Sequence, residues 1–437
     1  MKKKMVSMVL AATLTGVSIF PAAVQAEDSG KVTISILCDL ERANVGIGGL
    51  DTGFYAALDE WAEAHPEVEI SLESMNQTDY QTKITSLGAA GDMPDMFMLK
   101  GSWTKNFAEN GWVKDITDVL DADPEWKDGY IEGGFDAATY DGRIYGVPRE
   151  SLATGLVFYN SDLWAEIGYE EFPSTWTELL DAVEKFKEAG ITPFVMGNKA
   201  NWPAESNWLS TLGDRFTGTE WTNSIINGEG AAFTDEEFVA ALTCFQELAQ
   251  AGAFNEDINS LDDVEEDTVY FNKKAATIVT GTWFFATVDS SAPDDVKAAT
   301  KLALLPSVEG GKGDANTVSG GPAWFFSVSS NEMDETKTEL IMDLLKYVSD
   351  EHQADVSASA GIITAWANPT YDASGVPALF NDYNELMKTT TVVPIYDAMM
   401  DAALIETMNT GLQSLLIGEM TPEELAENIQ FEYEMAQ

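Results

Sequence analysis

Twelve tryptophans and four arginines are spread through a chain of 437 residues, and their positions bound the chemistry open to it. In TIVTGTWFFATV, residues 277–288, an apolar β-branched run ends in Gly281-Thr282 and Trp283 follows at once. A buried strand has no need of such an ending. A Gly-Thr turn there would leave the indole at its mouth, with a flat apolar face to stack against. The alternative is a core side chain. Trp103 (KGSW) and Trp202 (NKANWPAES) stand in polar loops, where a core role is harder to arrange, and Trp324 (GGPAWFF) and Trp366 (TAWANP) are further candidates. Trp61, Trp164 and Trp176 fall at core spacing on helices and read as packing. Hydrogen-bonding groups are expected at strand ends: Glu41 and Arg42, Lys100, Arg149 and Glu150, with Asp39 and Gln77 as secondary choices. Each could equally be a solvated loop charge. Covalent chemistry is poorly supplied. There is no Gly-x-Ser-x-Gly elbow, no His-Glu-x-x-His and no phosphate loop. His65 precedes a proline at a helix end, and His352 lies in a helical stretch. Cys38 and Cys244 show no zinc-ligand spacing and are expected to be separate buried thiols.

The elements that must position these residues alternate. KVTISIL places Val32, Ile34 and Ile36 on one face of a strand. FYAALDEWAEAHPEVEISLE reads as a helix that stops before Pro66, then a second strand. DYQTKITSLGAAG is a short helix leading into PDMFML. This β-α-β-α-β order opens an α/β sheet, whose ligands collect outside the carboxyl ends of the strands. CDLER (38–42) and KGSW (100–103) therefore share a rim. Asp141-Gly142 is a hairpin turn, followed by the strand-like runs IYGVP and GLVFYN. Capping boxes are predicted at Thr175/Glu178, Thr234/Glu237 and Thr421/Glu424, with Gly190 and Gly252 as helix stops.

Lys2 to Lys4, the apolar stretch Met5 to Phe20 and Val24-Gln25-Ala26 form an export leader, so the mature chain is expected to begin near Glu27. No cysteine follows the apolar stretch, so the usual lipid-attachment site is missing. About 411 residues remain by this reading, which suits two lobes. Three of the 24 basic residues fall in the leader, leaving 21 against 73 acids, a net charge of −52. Such a surface repels nucleic acid and anionic lipid.

Several segments occur in the order of a known family. AAGDMPDMF (89–97), DGRIYGVP (141–148), LVFYN (156–160), PSTWTELLDAVEKFKEAGITPF, FNKKAATIVTGTW (271–283), LALLPSVEGG, GGPAWFFSVSS and GEMTPEELAENI span nearly the whole mature chain. Together they make it resemble the family 1 extracellular solute-binding proteins, the maltose-binding-protein-like sugar receptors of bacterial ABC transporters. Lys273-Lys274 replaces that family's usual Gly-Lys, and AGIIT (360–364) lacks its proline.

The resemblance implies an α/β, two-lobed periplasmic-binding-protein fold, each lobe an open sheet flanked by helices, with three crossings between them. One lobe would hold 27–148 and 319–355, the other 153–312 and 360–437. It also implies that Trp283 stacks on a sugar ring in the cleft, with the other aromatics and polar residues named above around it. The implied partners are a neutral carbohydrate, most simply an oligosaccharide, and the permease subunits of an importer. The protein would be an exported monomer, periplasmic or at the cell surface, needing no cofactor or metal and binding no nucleic acid. Three other readings stay open. A glycosidase would use two carboxylates about 5–10 Å apart, which 73 acids could supply. The same fold could hold a polyamine, amino acid, metal or peptide, although no carboxylate cluster stands out at the predicted rim. A surface lectin without a transporter would look much the same.

Overall fold

The computed structural model of the protein describes residues 30–46 and 49–436. The leader and the expected mature start at Glu27 lie outside the described residues. Val32–Cys38 buries Ile34 and Ile36 and pairs in parallel with Val68–Ser74 on one side and Met96–Lys100 on the other. The sheet continues through Trp324–Val328 to Val147–Pro148, with Trp324–Val328 antiparallel to both neighbours. Helices Gly49–Ala64, Gln77–Ala90 and Glu335–Tyr347 flank it. Trp61 and Tyr55 are among its largest buried side chains.

A second group of elements is built around a four-stranded sheet in the order Thr300–Leu304, Leu156–Asn160, Ala275–Thr280, Thr192–Val195. A three-stranded sheet of Thr391–Pro394, Thr317–Gly321 and Leu152–Ala153 adjoins it. The capping boxes at Thr175/Glu178 and Thr421/Glu424 form, and Gly190 closes its helix at φ 74°. The box predicted at Thr234/Glu237 does not. That helix begins at Glu236, so Asp235 holds the cap position and Thr234 lies one residue outside. The Asp235 carboxylate accepts instead from the Trp221 indole (2.8 Å) and the Ala232 backbone N–H (3.0 Å). Asp141 (φ 49°) and Gly142 (φ 71°) make the two-residue hairpin turn, with Tyr140 opposite Arg143. Cys38 and Cys244 are both buried and free. Among the described residues no helix is long and apolar enough to cross a membrane.

The two groups of elements, one around each larger sheet, form two lobes joined by three crossings. Residues 149–151 lead from Val147–Pro148 to Leu152–Ala153, residues 322–323 lead back from Thr317–Gly321 to Trp324–Val328, and the third follows the helix Glu351–Ser359. The first two run side by side. Pro148 stands opposite Phe325, Ala153 stands opposite Gly320, and the Arg149 N–H donates to the Trp324 carbonyl at 2.9 Å. The ribbon turns from one sheet to the other at two glycines. A Cβ on Gly320 would lie 2.2 Å from the Leu152 carbonyl oxygen, and Gly321 has φ +111°. Residues 319–321, placed by the sequence with the first lobe, therefore pair in the three-stranded sheet, because the chain crosses only after Gly321.

Candidate ligand-binding site

A cavity of about 720 Å³ opens between the lobes. It lies at the carboxyl ends of the parallel strands in both sheets, where the geometry of open α/β sheets places ligands. Asp39 and Gln77 follow two first-lobe strands, Lys100 ends a third, and Arg149 and Glu150 follow Val147–Pro148. Opposite them, Thr280 and Trp283 stand at the end of Ala275–Thr280, and Trp202, Ser206 and Asn207 come after Thr192–Val195. The helix Asp263–Phe271 adds Asp263, Glu266 and Asp267.

The first-lobe floor is a closed set of ion pairs. The Arg149 side chain is 6% exposed; its Nη1 donates to Asp39 at 2.7 Å and its Nη2 to Glu150 at 3.0 Å, with Nε also on Glu150. Burial works against the Arg149 charge, but Asp39 and Glu150 outweigh it and hold the guanidinium above its usual pKa. Arg149 lies 5.3 Å and the Lys100 ammonium 5.8 Å from the centre of the Trp324 ring. Lys100 Nζ donates to Asp397 Oδ2 at 2.7 Å, with both side chains buried. Asp397 belongs to Tyr396–Met399, the segment after the second-lobe strand Thr391–Pro394, so this bond ties the two lobes. Gly101 permits the approach, since a Cβ there would meet the Ala398 carbonyl oxygen at 2.3 Å.

The second-lobe wall is aromatic and acidic. The half-buried Trp202 and Trp283 have ring centres 5.9 Å apart at 69°, which makes an apolar corner. Trp283 stands at the start of the helix Phe284–Ser291 with φ −60°, and its indole folds back over Gly281. A Cβ on Gly281 would lie 2.1 Å from that ring, which is why the strand ends in glycine. Trp202 follows Asn201, whose φ is 61°, and opens a helix with a π-helical stretch, Ala204–Leu209, at the cavity. Asn198 accepts from the Ala204 N–H at 3.1 Å and fixes that start. Asn207 is 2% exposed and its Oδ1 has no hydrogen-bond partner. An Asp262/Glu265 capping box starts the acidic helix, and the i, i+3, i+4 spacing puts Asp263, Glu266 and Asp267 on one face. Burial, helped by the Asp263 charge, pushes Asp267 up to about 8. Glu266 is also raised well above the carboxylate range, first by burial and then by Asp267. An apolar corner facing paired charges and carboxyl groups suits non-covalent capture of a small polar molecule with an apolar face. An anion finds neither cation free, because Lys100 and Arg149 already hold carboxylates.

The profile of the family described as bacterial extracellular solute-binding protein matches residues 48–354. The chain belongs to this family. Its likeness to solved members extends over nearly the whole chain. A structure from a study of xylan utilization by the thermophilic bacterium Caldanaerobius polysaccharolyticus has 28% identity and a TM-score of 0.81, covering 92% of this chain and 100% of that one. A chitin oligosaccharide binding protein shares the fold at 22% identity and a TM-score of 0.83, over 93% of this chain and 99% of that one. The lactose-binding protein of Rhizobium radiobacter is 22% identical over 64% of each chain. The chain spans about half the length of curated relatives it matches.

Of the residues singled out in the sequence, Trp283, Trp202, Trp324, Lys100, Arg149, Glu150, Asp39 and Gln77 meet at the cavity. Trp324 is only 5% exposed and borders the cavity from within the floor. Glu41, Arg42, Trp103 and Trp366 stand away from it. The turn Gly101–Trp103 points the Trp103 indole inward, 5.4 Å from Trp324 and 6.0 Å from Phe107. Trp366 packs on Gly129 and, at 5.2 Å, on Tyr130. Arg42 forms a two-pronged pair with Asp59 on the outer surface, above Tyr55, and the Glu41 N–H donates to Asp51 at 2.6 Å. The expectation that no carboxylates cluster at the rim is overturned by the acidic helix. Its signal was legible in LDDVEED, where acids recur at helical spacing directly after a capping residue. Asn207 and Asp397 carried no such signal, since a π-helical stretch and a chain reversal bring them in.

Proposed function

We propose that this protein is a non-catalytic extracellular receptor that captures a neutral carbohydrate, most simply an oligosaccharide, and delivers it to the permease subunits of an ABC importer. The observation that carries the reading is the Trp202–Trp283 corner facing a hydrogen-bonding floor across the cavity. A pyranose ring has an apolar C–H face and a hydroxyl rim, and this arrangement offers a surface to each. Relatives named for lactose and for chitin oligosaccharide support it. On this reading the lobes comprise 27–148 with the stretch after Gly321 to 355, and 153–321 with 360–437. They hinge on the paired crossings, and sugar contacts from both favour the closed form only when the cleft is filled. The protein acts as a monomer, exported by its leader.

A thermal-shift screen over mono- and oligosaccharides tests this, because a ligand that binds only the folded state raises the melting temperature by mass action. A sugar should raise it and be recovered intact after incubation. Turnover would favour an enzyme. A second reading, a cation such as a polyamine, draws on the carboxyl groups of Asp263, Glu266 and Asp267 on the cavity wall. Spermidine in the same screen separates the two.

A further inference from the structure

The acidic wall departs from the floor in one respect: among the described residues no cation pairs with Glu266 or Asp267. Lys273 and Lys274 follow the helix, but Lys273 is paired with Asp295 at 2.6 Å and Lys274 is exposed, while Lys199 is held by Asp262 at 3.4 Å. The strands Ala275–Thr280 and Thr192–Val195, which pack against this helix, carry no charged residue. The helix Phe284–Ser291 contributes only Asp289. On the helix itself, Asp262, Asp263 and Glu265 are all acids. Across the cavity stand Asp39, Asp51, Glu150 and Asp397, with Lys100 and Arg149 already bound to three of them. Glu266 is 4% exposed, and the Gly197 backbone N–H is its partner. Asp267 follows it directly. Glu266 is buried and Asp267 half-buried, and without a counter-ion both are held toward the protonated form, in which a carboxyl is a hydrogen-bond donor. Asn207, with its unpartnered oxygen, lines the same cavity.

We infer that Glu266 and Asp267 grip the ligand as neutral carboxylic acids, donating hydrogen bonds to the oxygens of an uncharged sugar, so that the receptor releases its cargo as the medium turns alkaline. The inference rests on the carbohydrate reading. A neutral sugar supplies no charge to ionise these groups, and filling the cavity strips away more water, so the filled site holds its protons more tightly still. Binding then takes up protons from solvent as the pH nears the point where Asp267 is half ionised, about 8.

The test is calorimetry from pH 6 to pH 10, using whichever of xylotriose, chitotriose, maltotriose and lactose most raises the melting temperature at pH 7, with spermidine in parallel. The expected result is a flat affinity below pH 7, a fall of about tenfold per pH unit above roughly pH 8, and proton uptake visible as a buffer-dependent heat. In Asp267→Asn and Glu266→Gln, whose amides donate at every pH, the alkaline fall should flatten. A merely structural role for these side chains would not produce that flattening. A sugar affinity constant from pH 6 to pH 10 overturns the inference and leaves the carbohydrate reading standing. Spermidine binding that tightens with pH while no sugar binds overturns both.

Discussion

The two walls of the cleft spend their polar groups differently. On the first-lobe floor both cations are answered within the protein: Arg149 by Asp39 and Glu150, Lys100 by Asp397. On the second-lobe wall the indoles of Trp202 and Trp283 and the carboxyl groups of Glu266 and Asp267 have no ionic partner among the described residues. A buried charge that has its counter-ion holds the fold in one arrangement. An aromatic corner and neutral donors left at the surface of a cavity are what a ligand can use. On the proposed reading the floor is chiefly scaffold and the second wall chiefly recognition.

The sharpest way to break that contrast is to remove Arg149. Arg149→Ala strands Asp39 and Glu150 as buried, uncompensated carboxylates and should cost roughly 3–5 kcal/mol in denaturant unfolding. A loss under 1 kcal/mol would mean that the floor is not scaffold. Trp103→Ala, which empties part of the aromatic stack beneath the floor, should also cost about 3–5 kcal/mol of stability through the cavity it leaves. Its sugar affinity, read at a temperature where the variant is folded, should change far less than that of a Trp283 variant. Gly281→Ala acts on the other wall. The added methyl collides with the Trp283 ring and must turn it, so affinity should drop several-fold while overpacking strain costs about 1–3 kcal/mol. Unchanged affinity would show that the orientation of the indole is immaterial.

The acidic wall also sets a pH dependence of stability. Asp267 titrates near 3.8 when unfolded and at about 8 when folded, so the native state holds the proton more tightly. Its contribution is fully present below about pH 4, declines as the pH rises and is gone above about pH 8. Melting temperatures of Asp267→Asn should therefore fall less than those of the parent across that window.

Much of the fold was legible because its signals are local. Alternation in KVTISIL, capping boxes at Thr175 and Thr421, and the Asp141-Gly142 turn each depend on neighbours in the chain. The cavity lining was legible to the extent that strand ends define it, which is why the expected Asp39, Lys100, Arg149 and Trp283 fall on it. Position at a strand end did not reveal role. Trp103 ends the same KGSW segment as Lys100, yet its tight turn points it into the core. Asp397 reaches the floor from almost 300 residues away through a tertiary contact that no sequence spacing encodes. Thr234 failed as a cap because Asp235, one residue nearer the helix, took the position.

The most direct measurement is titration calorimetry of a sugar that raises the melting temperature, compared between the parent protein and the Trp202→Ala/Trp283→Ala double variant. The predicted result is a loss of at least a hundredfold in affinity, about 3 kcal/mol or more, with the fold retained. An affinity within threefold of the parent would contradict the assignment of this corner as the surface on which the ligand rests.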